Sequence, residues 1–172
     1  PHLQIDAGHL PTSYQSRLLE SSQHYSQESG TNFWAELIKR ERELKERYIG
    51  SIGNTCWLTS FTPRGRVMDI LAIFEGRDSI LNLSRQDFAD FTEGLRKVFN
   101  YLDDSGFQSF NLSIYSGVGE GEAFWTHARI TPRTLRPPLG GSDYMYLEVL
   151  HDEHFCISSP EDICSELKGY FE

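Results

Sequence analysis

The sequence predicts an α+β fold in which helices pack on one face of an antiparallel sheet. Short apolar runs with strand character stand next to one another along the chain and are joined by loops of hairpin length. A long stretch in the middle of the chain has the three-to-four residue apolar step of a helix, and a short capped helix closes the chain. Neighbouring strands with short connections pair antiparallel, and segregated helices then cover the sheet.

The first third of the chain is predicted to be helical. Residues 12–30 are polar with a few apolar side chains at near-helical spacing, which indicates a surface helix running into a loop. A second amphipathic helix follows, and its apolar positions are Trp34, Leu37, Ile38, Leu44 and Tyr48. Charged side chains between these positions are typical of a solvated helix face.

The middle of the chain predicts a hairpin followed by a long helix. Residues 55–61 and 67–74 are apolar runs separated by turn-forming residues at 62–66, so they are expected to be two paired strands. Ser84 with Asp87 three residues later is a capping-box variant that opens a helix. Its apolar stripe consists of Phe88, Phe91, Leu95, Val98, Phe99 and Leu102.

The last third predicts three strands and a terminal helix. Residues 110–115 alternate between apolar and polar side chains, and residues 124–130 do the same after a glycine-rich turn at 117–121. A further strand is expected at 144–150. Ser159 as N-cap and Pro160 at the first helical position predict the start of the final helix.

Composition excludes several classes of function. The chain has 172 residues, with 25 acidic against 16 basic side chains and a net charge of -9. This charge disfavours general binding to nucleic acid or to anionic lipid, and no apolar run is long enough to cross a bilayer. Three cysteines without paired spacing suit a reducing compartment, so a cytoplasmic location is expected.

Two segments carry side chains suited to chemistry. His127 and Arg129 stand two residues apart on one strand, hence on the same sheet face and about 7 Å apart. A cation beside an imidazole suits a phosphoryl or nucleotide group, and the alternative is a polar row on the solvent side of the strand. The segment from His151 to Cys156 offers possible metal ligands, with Cys56 or Cys164 as a fourth, or is simply a polar loop.

The amino terminus resembles a known catalytic motif. Pro1-His2-Leu3-Gln4-Ile5 is similar to the end of the His-Pro-His-x-Gln motif of galactose-1-phosphate uridylyltransferases, in the histidine-triad superfamily. The strand at 124–133 resembles the family's His-x-His strand, and 146–150 followed by 159–162 resembles its closing strand and helix. The resemblance implies a histidine-triad-like fold in two parts, with residues 1–47 forming the end of a first half and a crossover helix, and residues 48–172 forming a second half.

This resemblance implies a nucleotidyltransferase, or part of one, acting on a nucleotide sugar or dinucleotide. His2 would attack the α-phosphorus and form a covalent intermediate, and Gln4 would hydrogen-bond the phosphate. Substrate binding is expected for Gln4, His127, Arg129 and Glu148. The chain would then be the carboxyl-terminal portion of a protein that forms a homodimer, with an upstream half as a further partner.

The departures from the family pattern concern the metal. Arg129 stands where the family has the second histidine of His-x-His, and a histidine expected near 115–119 is absent. The family metal site therefore looks degenerate, and no metal ligand and no cofactor is assigned. Two alternatives stay open, namely a catalytically inactive nucleotide-binding or dimerisation domain of the same fold and a hydrolase of the same superfamily.

Overall fold

The computed structural model describes residues 11–117, 123–134 and 158–171. They form one five-stranded antiparallel sheet with the strand order β1-β2-β3-β5-β4. The strands are β1 (Tyr48–Ile52), β2 (Thr55–Thr59), β3 (Ile70–Phe74), β4 (Phe110–Tyr115) and β5 (His127–Pro132). The helices are α1 (Ser13–Ser29), α2 (Phe33–Leu44), α3 (Arg85–Asp104) and α4 (Pro160–Lys168), with a 3-10 turn at Ile80–Asn82. The predicted α+β class with an antiparallel sheet is confirmed.

Helices α3 and α4 begin where the sequence predicts. Ser84 and Asp87 form a reciprocal capping box at the start of α3, which satisfies backbone N–H groups that would otherwise lack a partner. The Ser159 side chain accepts hydrogen bonds from the N–H groups of Glu161 and Asp162 at the start of α4. Local capping chemistry therefore fixes both helix starts.

One face of the sheet packs against α3 and α4. Trp57, Ala72 and Ala128 lie in register across β2, β3 and β5, and they share a core with Val98 and Leu167 from the two helices. Gly94 lets α3 approach closely, because a Cβ there would lie 2.1 Å from Cζ2 of Trp57. This face supplies the larger part of the core.

The other face is covered by the amino-terminal helices. Trp34 and Ile38 of α2 pack with Leu58, Leu71 and Ile73 of the sheet, and leucines of α1 lie against this cluster. The expectation of helices on one face therefore describes α3 and α4 but not α2. The physical reason lies in β2 and β3, which are buried along their whole length, so the sheet needs cover on both sides.

Some boundaries differ from the sequence-based expectation. Tyr48 fits the apolar step of the second helix, yet α2 ends at Leu44 and Tyr48 opens β1. Phe88 is exposed although it lies on the predicted stripe of α3. The strand expected at 144–150 lies outside the described residues. Among the described helices none has the length and apolar character required to span a membrane.

Candidate functional site

The structure brings two of the predicted site residues together. His127 and Arg129 lie on the face of β5 that is turned toward α2, since their strand partners Ile73 and Leu71 belong to the cluster on that side. Both are buried, so the alternative of a solvent-side polar row is wrong. His2, Gln4 and Glu148 lie outside the described residues, as do His151 and Cys156.

The His127 imidazole is enclosed by aromatic rings. Its ring centroid lies 4.1 Å from that of Trp34, 5.2 Å from that of Tyr115 and 5.4 Å from that of Phe124. Burial is the main cause that lowers the pKa of His127 to about 4, and the nearby charge of Arg129 acts in the same direction. The imidazole is therefore neutral at pH 7.

The hydrogen bonding of His127 fixes its tautomer. Nδ1 lies 3.0 Å from the carbonyl oxygen of Trp125, and since a carbonyl only accepts, Nδ1 carries the proton. Nε2 is left as a lone-pair acceptor, and it is buried with no hydrogen-bond partner among the described residues. An unpaired acceptor of this kind suits an O–H or N–H donor.

Arg129 is held in a buried ion pair. Its Nη1 donates to Oδ2 of Asp69 at 2.5 Å, and Asp69 is only 1% exposed. Asp69 also accepts from the Thr131 hydroxyl at 2.8 Å and from the backbone N–H groups of Arg64 and Gly65 at 2.7 and 3.0 Å. The carboxylate therefore ties the β2–β3 loop to β5, and its four donors compensate for burying the charge.

Gly65 makes this loop contact possible. A Cβ at this position would lie 2.3 Å from Cγ2 of Thr131 and 2.8 Å from Oδ1 of Asp69, which is closer than atoms can approach. The loop thus lies directly on the polar row of β5. The Thr62 carbonyl oxygen in the same loop also accepts from Nη1 of Arg129 at 3.4 Å, so the loop packs against Arg129 and Thr131.

The residues around His127 do not fit a divalent metal ion. In the described ranges, no three His, Cys, Asp or Glu side chains come together as a ligand cluster. Asp69 is already engaged with Arg129, whose positive charge disfavours a second cation nearby. The surroundings of His127 are otherwise aromatic. Whether the family metal site is degenerate as a whole stays a prediction, because part of the expected region lies outside the described residues.

Sequence reasoning missed the residues that pair with the predicted ones. Asp69 and Arg129 are 60 positions apart, and no periodicity links them. Trp34 was recognised as an apolar helix residue but not as the partner of His127. The one usable signal for Asp69 was a lone carboxylate inside the apolar run at 67–74, shortly after the turn at 62–66.

Comparison with solved structures identifies the fold as that of uridylyltransferases. A uridylyltransferase mutant aligns with a TM-score of 0.79 and 14% identity, covering 94% of this chain and 54% of that chain. A second uridylyltransferase structure gives 0.78 and 13%, covering 94% and 51%. A GalT-like protein from Arabidopsis thaliana gives 0.72 and 16%, covering 92% and 50%. The resemblance suggested by the amino-terminal motif is thus confirmed at the level of the fold.

Sequence comparison adds one relative. An uncharacterized protein of Archaeoglobus fulgidus is 29% identical over 168 residues, which covers 98% of this chain and 50% of that protein. No family model matches the chain. The chain spans about half the length of this relative and of the similar structures.

Proposed function

We propose that this chain belongs to a nucleotidyltransferase that transfers a nucleoside monophosphate from a nucleotide sugar or a dinucleotide. The proposal is supported by the fold, which matches uridylyltransferases over 94% of the chain. A fold alone does not define an activity. The chemistry rests on the motif Pro1-His2-Leu3-Gln4, which resembles the catalytic motif of that family.

The proposed reaction has two displacements at phosphorus. An imidazole nitrogen of His2 attacks the α-phosphorus, the N–P bond forms, and the bond to the sugar phosphate breaks with the electron pair leaving on oxygen. A phosphate oxygen of the acceptor then attacks the same phosphorus, and the N–P bond breaks. Gln4 donates a hydrogen bond to the phosphoryl oxygen that gains charge.

Roles in substrate binding for Glu148, His127 and Arg129 belong to the same proposal. For the last two, the described contacts favour an indirect role. Arg129 is committed to Asp69, and the His127 ring is packed among aromatic rings. We infer that they shape the sheet face on which the β2–β3 loop lies, rather than touch the phosphate themselves.

The test is covalent labelling of the longest polypeptide that carries this chain. Incubation with an α-phosphorus-labelled nucleotide sugar or dinucleotide is expected to leave an acid-labile, base-stable label, as a phosphoramidate would. His2→Ala is expected to abolish the label. His24→Ala is the matched control, because His24 is an exposed histidine on α1 that lies 3.4 Å from the Glu28 carboxylate. A label that persists without His2 refutes the mechanism.

A second candidate is a nucleotide-binding domain without catalysis. The observation that favours it is the Arg129 to Asp69 pair, which places a structural ion pair where the family resemblance has a second histidine. This candidate predicts saturable nucleotide binding with no covalent label in the wild-type protein. Equilibrium dialysis with the same labelled nucleotides separates it from the transferase.

A further inference from the structure

Helix α1 is held on the sheet by contacts of its first turn rather than by a buried apolar face. Among the residues of α1 whose side chains are described, Ser22 alone is buried. Leu18 and Leu19 are only partly buried against the cluster that α2 covers, whereas α2 itself buries Trp34 and Ile38. The position of α1 therefore depends more strongly on specific contacts than the position of α2.

Tyr14 in this first turn contacts two separate elements. The guanidinium carbon of Arg64, in the β2–β3 loop, lies 4.2 Å from the centroid of the Tyr14 ring. On β4, the Tyr115 ring packs edge-on against Tyr14 with 5.5 Å between the two centroids. A cation over an aromatic face and an edge-to-face pair of rings each favour a defined geometry. Tyr14 therefore links α1 to the β2–β3 loop and to β4.

Gln15 attaches the same turn by a hydrogen bond. Its Nε2 donates to the backbone oxygen of Ser116 at 2.8 Å, directly after the end of β4. Thr12 caps the helix, since its hydroxyl accepts from the backbone N–H of Gln15 at 3.4 Å. The first turn of α1 is thus capped on its own side and bonded to the end of β4 on the other.

The buried residues of β5 support both contacts of Tyr14. The backbone N–H of Arg64 donates to Oδ2 of Asp69, which is paired with Arg129. The Tyr115 ring stacks on the His127 ring with 5.2 Å between the two centroids. Because His127 and Arg129 are buried, they act on the first turn of α1 only through the residues that they hold in place.

We propose that Tyr14, Gln15 and Arg64 are positioning residues for the nucleophile His2, an inference that rests on the proposed function. His2 stands twelve residues before Tyr14, and the segment that carries it continues directly into α1. An anchored first turn fixes the point at which that segment joins the sheet. A nucleophile displaced by about 1 Å from its attacking position can react roughly 100-fold more slowly. The contacts of Tyr14 and Gln15 therefore set the rate of attack at phosphorus.

Single-turnover labelling tests the role of Tyr14. The longest polypeptide that carries this chain is mixed with UDP-glucose or with diadenosine tetraphosphate, each labelled at the α-phosphorus. Tyr14→Leu is expected to lower the labelling rate at saturating nucleotide about 10-fold or more, with the half-saturating nucleotide concentration roughly unchanged. Tyr14→Phe keeps the ring that contacts Arg64 and Tyr115, and it is expected to label at the wild-type rate.

Tyr25→Leu is the matched control. Tyr25 is the second tyrosine of α1, is half-buried like Tyr14 and packs edge-on against Phe33 at the far end of the helix. Both leucine variants are expected to lose some stability in urea unfolding, but only Tyr14→Leu is expected to slow labelling. Gln15→Met keeps the length of the side chain without the donor to Ser116, and it is expected to slow labelling in the same direction.

The outcomes separate the positioning role from the proposed function. A wild-type protein that takes up no label from either nucleotide overturns both. A labelled wild-type protein with an equally fast Tyr14→Leu variant overturns the positioning role alone, and so does a loss of rate that Tyr25→Leu shows to the same extent. A Tyr14→Leu variant that changes only the half-saturating concentration also overturns it, because such a change indicates a role in binding the nucleotide.

Discussion

Replacing Asp69 with asparagine removes the charge that balances Arg129. The substitution keeps the size of the side chain and one oxygen acceptor. It replaces the other oxygen by an NH2 group, which cannot accept a hydrogen bond from the guanidinium. Arg129 is then a buried cation without its carboxylate. With Nδ2 in place of Oδ2 the Arg64 N–H also loses its acceptor, while Thr131 and Gly65 still donate to Oδ1.

The expected cost follows from the burial of both partners. The Asp69 side chain is fully buried and that of Arg129 is only 10% exposed, so solvent screens the pair weakly. Removing one partner of a buried pair costs about 3–5 kcal/mol, whereas replacing both by apolar groups of similar volume is often nearly neutral. Asp69→Asn is therefore expected to lower the free energy of unfolding by about 3 kcal/mol, and adding Arg129→Met to recover at least about 1 kcal/mol of it.

Urea unfolding of the four proteins in this double-mutant cycle measures both quantities. Asp104→Asn is the control, because Asp104 is an exposed carboxylate on α3 that accepts from the Tyr170 hydroxyl. Loss of its charge is expected to cost less than about 0.5 kcal/mol. The account of this ion pair is refuted if Asp69→Asn costs less than about 1 kcal/mol. It is also refuted if the two substitutions are simply additive.

Three further predictions concern His127, α3 and its cap. The pKa of His127 is about 4 in the folded chain, below the ordinary value of 6.5, so the unfolded state binds the proton more readily. Stability is expected to fall by about 3 kcal/mol as the pH drops from 6.5 to 4, and urea titrations of His127→Phe should show a smaller loss. Gly94→Ala is expected to destabilise the chain by about 2 kcal/mol or more, measured by thermal melting, because its Cβ would overlap Trp57. Ser84→Ala is expected to cost about 1 kcal/mol through loss of the capping box, and a melting temperature unchanged from wild type would contradict this.

Local chemistry predicted much of the fold. The capping residues Ser84 and Ser159 placed the starts of α3 and α4, because a side-chain cap acts within three residues of itself. The shared face of His127 and Arg129 followed from the two-residue period of a strand. These features depend only on neighbours in sequence, which is why the sequence alone reveals them.

Features that depend on long-range contacts could not be predicted from the sequence. Whether a strand face is solvated or buried depends on which helix covers it, and α2 buries the face that alternation left open to solvent. The carboxylate that pairs with Arg129 belongs to Asp69, which directly precedes β3 and is 60 residues away in sequence. Tyr48 continued a helical apolar step, and only pairing with Leu58 in β2 shows that it belongs to a strand. Tertiary contacts decide such cases.

The most direct test of the proposed transferase locates the modified residue. The longest polypeptide carrying this chain is incubated with unlabelled nucleotide sugar or dinucleotide, digested at alkaline pH and analysed by tandem mass spectrometry for a nucleoside monophosphate adduct. The account predicts that the adduct lies on His2, and that it disappears when an acceptor sugar phosphate is added. An adduct on another residue, or enzymatic turnover with no adduct at all, would contradict it.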